Sequence, residues 1–87
     1  MIDSIRREAE IIIRRAIDND LSIEEACYFL STLDNEICKD VCIAIHAVIH
    51  FITDTDIRQA DHEYDKLLRD GLISSIKLLN GEQNRRG

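Results

Sequence analysis

Val41-Cys42-Ile43-Ala44-Ile45-His46-Ala47-Val48-Ile49-His50-Phe51-Ile52 is the most apolar stretch of this 87-residue chain, and its periodicity decides the fold. At ~100° per residue, Val41, Ala44, Ile45, Val48, Ile49, Phe51 and Ile52, joined by Ile37 upstream, cover about half the circumference of a helix. A helix apolar over so wide an arc belongs at the centre of a bundle. The stretch cannot span a bilayer, which takes ~20 apolar residues, and His46 and His50 interrupt it.

The flanking segments have narrower stripes. Ile5, Ala9, Ile12, Ile13, Ala16 and Ile17 recur at helical spacing and predict a first helix over 4–18. Asp3 or Ser4 can cap it, and Asn19-Asp20 closes it. Ser22-Ile23-Glu24-Glu25 is a capping box that opens a second helix ending near Thr32. Its predicted buried stripe is Ile23, Ala26, Cys27, Leu30 and Leu33. Asp34 is the expected N-cap of the central helix, which runs to about Ile52. Thr53-Asp54-Thr55-Asp56 ends that helix and can cap the next. From Ile57 a helical period continues through Ala60, Tyr64, Leu67, Leu68, Leu72, Ile76 and Leu79. A break near His62–Asp65, with Asp65 as the new cap, divides it. Asn80-Gly81 is a stop signal.

The expected fold is therefore all-α: an antiparallel bundle of four helices, or five if the break is real, in one domain over 1–81 with a polar tail over 82–87. Composition agrees with helices, since the chain has no Pro and three Gly while strand-and-turn proteins need many of both.

The formal net charge of −6 is unevenly spread. Ala16–Asp65 holds twelve acidic residues against Lys39 and Arg58, a local net of −10, whereas 1–15 and 66–87 carry +1 and +3. Such a surface disfavours nucleic acid and anionic membrane, which need clustered Lys and Arg. It suits a basic protein partner. Helix capping and the macrodipole explain part of it, at Asp34, Asp54, Asp56 and Asp65. Tyr28 points away from the second helix's apolar stripe, between Glu24 and Glu25. There it is either an interface anchor or a wet edge residue.

Cys38, Cys42, His46 and His50 form an i, i+4 ladder of the residue types that bind zinc. The ladder drifts ~40° per step, so one helix can offer two ligands, not four. Cys38 and Cys42 read as small apolar fillers at the rim of the buried arc. The ladder also lacks the orienting group and oxyanion site of a Cys–His nucleophile, and no phosphate-binding glycine loop exists. No catalytic residue, cofactor or metal is expected. Three cysteines at helical spacing, without a signal peptide, fit a reducing cytoplasm.

The run Phe51-Ile52-Thr53-Asp54-Thr55-Asp56-Ile57-Arg58-Gln59-Ala60-Asp61-His62-Glu63-Tyr64-Asp65, followed by Leu67-Leu68-Arg69, resembles the second half of small bacterial immunity proteins. These are the colicin D-type and contact-dependent growth inhibition immunity proteins. Leu21-Ser22-Ile23-Glu24-Glu25-Ala26, after an Ile-rich helix and an acidic turn, is similar to their first half. The resemblance implies a helical protein that neutralises a cognate basic toxin, commonly a tRNA-cleaving nuclease, by covering its active site. Asp54, Asp56, Asp61, Glu63, Asp65, Glu24, Glu25 and Tyr28 are then the candidate partner-binding residues. The alternative is a small helical homodimer with regulatory or structural work, in which Ile11, Ile43 and Ala47 form the self-interface. A metal-binding module built on the Cys/His ladder is a third.

Overall fold

The apolar run forms the centre of the computed structural model, which describes residues 2–34, 36 and 38–80, the side chains of Ile2 and Asp3 excepted. Five helices occur among the described residues: α1 (Ile2–Ile17), α2 (Ile23–Ser31), α3 (Lys39–Thr53), α4 (Thr55–Ala60) and α5 (His62–Leu79). The fold is all-α. Here α3 packs against each of the other four, as its wide apolar arc requires. Val41, Ala44, Ile45, Val48 and Phe51 are buried with Ala9, Ile13 and Ala16 of α1, Ala26 of α2, and Leu72, Ile76 and Leu79 of α5.

Helix directions follow from a few contacts. Ile43 and Ala44, early in α3, line a groove with Ser75, Leu78 and Leu79, late in α5. Phe51, at the far end of α3, lies beneath Arg69 in the middle of α5. These two helices are antiparallel. So are α1 and α5: Arg6 Nη1 donates to the Leu79 carbonyl (3.2 Å) and Arg69 Nη1 to the Ile17 carbonyl (2.6 Å). Helices α1 and α3 therefore run in the same direction, with Arg6 and Asp40 paired at their N-terminal ends (3.6 Å).

The turn signals act largely as their chemistry dictates. Asn19 takes the left-handed conformation (φ 60°), which Asn tolerates better than other side chains. The Asn19 N–H then reaches the Ala16 carbonyl (3.0 Å) and the Asp20 N–H the Arg15 carbonyl (2.7 Å), a Schellman closure of α1. The capping box at α2 is formed in both directions.

Several expectations are corrected. Asp34 does not cap α3; its Oδ1 accepts from the Glu36 N–H (2.8 Å), and the helix starts later, at Lys39, without a side-chain cap. The break before α5 is real but lies at Asp61, whose Oδ1 accepts from the Glu63 and Tyr64 N–H groups, both at 3.1 Å. Asp65 lies inside α5 and is not a cap. Cys27 is exposed, whereas Cys38 and Cys42, placed at the rim of the arc, are both buried. Leu67 faces solvent. The first helix starts at Ile2, so Asp3 and Ser4 lie within α1 and do not cap it. Ile37 and the stretch 81–87 lie outside the described residues.

Because Asp61 satisfies two N–H groups at the start of α5, Asp61→Ala should cost about 1 kcal/mol. Asn19→Val, forcing a β-branched residue into the left-handed region, should cost about 1–2 kcal/mol. Urea unfolding followed by circular dichroism measures both, with Ser74→Ala as a near-neutral reference.

Candidate interaction surface

Three helix N-termini and the ends of α1 and α3 meet at one end of the bundle. There α1 ends against Arg69 of α5, and α4 and the start of α5 follow directly from the end of α3. A polar cleft of 540 Å³ is lined by Asn19 from the α1–α2 turn, Thr55, Arg58 and Gln59 from α4, and His62, Asp65 and Arg69 from α5. The acidic runs Asp18–Glu25 and Asp54–Asp65 are thus brought to the same end. Carboxylates near helix N-termini are favoured by the macrodipole, so α2, α4 and α5 can carry this charge at little cost to folding.

Beneath the cleft lies one of the segment's two basic residues. The Arg58 side chain is only 6% exposed, and its guanidinium stacks 3.6 Å from the centroid of the Phe51 ring. Nε donates to the Phe51 carbonyl (2.9 Å), Nη1 to Asp65 Oδ1 (2.7 Å) and Nη2 to Thr55 Oγ1 (3.2 Å). Asp65 offers its other oxygen to Arg69 Nε (2.9 Å). One carboxylate thus bridges two guanidinium groups, and Arg69 carries the link on to α1. Hydrogen bonds from Arg58 and then from Arg69 hold the Asp65 carboxyl below its usual range. Beside this network the Tyr64 hydroxyl donates to Asp54 Oδ2 (2.8 Å), a bond to the carboxylate that raises the Tyr64 pKa.

The candidate residues therefore divide. Asp54, Asp61 and Asp65 are turned to internal tasks. Glu25 belongs with them: it completes the capping box and accepts from Arg15 through both oxygens (3.1 and 3.2 Å). Its carboxyl is lowered chiefly by the Ser22 backbone N–H and then by Arg15. The carboxylates of Asp56, Glu63 and Glu24 are exposed and make no hydrogen bond or ion pair among the described residues. Tyr28 is 73% exposed. It makes no side-chain bond to either acidic run among the described residues.

Sequence reasoning missed the paired arginines. Asp65 and Arg69 at i, i+4 was the available signal. The burial of Arg58 had none, because its partners Phe51 and Thr55 are defined only by how α4 folds back. Among the described residues no three His, Cys, Asp or Glu side chains are placed to hold a metal ion. Burial pushes the Cys42 thiol up, with Cys38 and Asp34 adding to it, the opposite of what a nucleophile needs. No described helix is long and apolar enough to cross a membrane. Comparison with protein-family models, with curated proteins and with solved structures finds no match.

Removing Arg58 leaves Asp65 half-paired and the Phe51 carbonyl without its donor, so Arg58→Ala should cost about 3–5 kcal/mol in urea unfolding. Arg58→Lys should restore little, since one ammonium nitrogen cannot reach the three separate positions at which Nε, Nη1 and Nη2 meet their acceptors. The depressed Asp65 carboxyl contributes stability that is complete above the unfolded value of ~3.9 and is lost as pH falls through the lower folded value. Asp65→Asn should accordingly flatten the acid limb of the stability–pH profile.

Proposed function

We propose that this protein is a non-catalytic inhibitor of the immunity type, which binds a basic toxin domain, a nuclease by preference, with the acidic end of its bundle. One observation carries the proposal. Between Ala16 and Asp65 the only basic residues are Lys39 and Arg58, and Arg58 is buried against Phe51 and Asp65. The outer surface of the segment is thus left with Lys39 as its one base, against exposed carboxylates at Asp18, Asp20, Glu24, Asp56 and Glu63.

A predominantly acidic field of this kind speeds encounter with a cation-rich surface and disfavours nucleic acid. Asp56, Glu63 and Glu24 are the carboxylates free to pair with Lys and Arg of the partner, and Tyr28 supplies an aromatic anchor. Asp54, Asp61, Asp65 and Glu25 hold the surface in shape rather than donate their charge to the partner. The resemblance of residues 51–69 to the immunity proteins supports the same assignment, and a cytoplasmic site of action goes with it.

The partner to test is the C-terminal domain encoded by the adjoining upstream reading frame, expected to be basic and nuclease-like. Surface plasmon resonance should show fast association that slows steeply as salt rises. Glu24→Lys, Asp56→Lys and Glu63→Lys together should slow association at least tenfold, with an unchanged circular dichroism spectrum. Association that ignores both salt and the triple reversal would contradict the proposal.

A further inference from the structure

Folding cuts the Cys38, Cys42, His46, His50 ladder in two. Cys38 and Cys42 are each 5% exposed, and burial pushes the Cys42 thiol up, away from the thiolate that a metal needs. The drift of ~40° per step then carries the ladder out of the core. His46 and His50 are both exposed. Neither imidazole makes a hydrogen bond or ion pair among the described residues.

Packing and capping give little account of this pair. The helix macrodipole favours a basic group in the last turn of α3, where His50 stands, but His46 lies mid-helix, where Ala, Lys or Gln would serve the helix better. Two imidazoles four residues apart do have a chemical use. At that spacing the side chains share one face with Cβ atoms ~5–6 Å apart, so a nitrogen of each ring can reach one ion. Neutral imidazole is a donor that suits Cu(II), Ni(II) and Zn(II). From Val41 to Thr53 the helix carries no Lys or Arg, so no cation of α3 stands within a turn of either ring. Because α3 packs against all four other helices, the spacing of the donors is set before an ion arrives, which lowers the ordering cost of binding. The chain's net charge of −6 adds a field that gathers dications.

We propose that His46 and His50 form a bis-imidazole site on the outer face of α3 for one transition-metal dication of the Cu(II), Ni(II) and Zn(II) class. Water fills the remaining positions, since no third His, Cys, Asp or Glu among the described residues is placed to join the pair. An exposed site of two donors imposes no geometry of its own, so affinity follows the intrinsic order of the metals, Cu(II) above Ni(II) above Co(II) and Mn(II). Mg(II) and Ca(II), which take oxygen ligands, do not compete for it. The site uses none of Glu24, Asp56 and Glu63, so it stands or falls apart from the toxin-binding reading.

Isothermal titration calorimetry of the whole chain with CuCl2 and with NiCl2, from about 1 µM to 1 mM metal, tests the proposal. A buffer at about pH 7.5 keeps protons from competing for the donors. Cys27 is an exposed thiol that would itself bind and reduce Cu(II), so every chain carries Cys27→Ser. The expected result is one ion per chain, held more tightly for copper than for nickel and not displaced by excess Mg(II). His46→Ala and His50→Ala place a better helix former at exposed positions, so both should stay folded. Each should weaken copper binding about tenfold or more, whereas His62→Ala should leave it unchanged. On addition of Zn(II) the imidazole carbon signals of His46 and His50 should shift together while those of His62 stay in place. Copper binding that survives His46→Ala or His50→Ala, that falls as much in His62→Ala, or that Mg(II) displaces would overturn the proposal.

Discussion

The buried guanidinium of Arg58 is the constraint on which the rest of the structure depends. A cation out of water must be paired and hydrogen-bonded, or its desolvation unfolds what surrounds it. Arg58 meets that demand with the Phe51 carbonyl at the end of α3, the Thr55 hydroxyl on its own helix and the Asp65 carboxylate on α5. The aromatic face of Phe51 completes the enclosure. A short helix of six residues would not be stable alone. Through Arg58 it becomes the joint between two long ones, and through Asp65 and Arg69 the same joint reaches the end of α1.

That joint also determines which carboxylates of the acidic segment stay in solvent. A dozen carboxylates in fifty residues look uniform in the sequence. Folding assigns some to caps, one to a bridge between arginines and one to a tyrosine hydroxyl, and leaves Asp56, Glu63 and Glu24 in solvent. Asp54 to Asp65, part of the run that resembles immunity proteins, supplies much of the internal frame. Arg58 of the Asp-Ile-Arg group and Tyr64 and Asp65 of the Glu-Tyr-Asp group serve the architecture of this end of the bundle. Asp56 and Glu63, the first residues of the same two groups, stay exposed.

The architecture was legible in the sequence because apolar periodicity reports burial directly. The half-circumference arc of Val41–Ile52 placed α3 at the centre, and the Ser22–Glu25 box and the Asn19-Asp20 turn marked ends that the backbone then used. Asp34 misled because an Asp before a helical run can equally bond two residues on and form a turn, which is what it does with Glu36. Leu67 misled for a different reason: it falls within the period of α5, yet it faces outward, where nothing in this chain covers it. Cys27 is a similar case on α2. The site was harder to read, since the Arg58–Asp65 and Arg15–Glu25 pairs join residues seven and ten apart, a separation that no helical period encodes.

The most direct test of this account is the titration of the Asp65 carboxyl followed by carbon-detected NMR in the intact protein. Bridged between Arg58 and Arg69, it should lose its proton below the ordinary carboxylate value of ~3.9. In Arg58→Lys the midpoint should move back up while Arg69 still holds part of the depression. An Asp65 midpoint at or above the ordinary value in the wild-type protein would mean that the arginine bridge does not exist in solution, and the account built on it would fail.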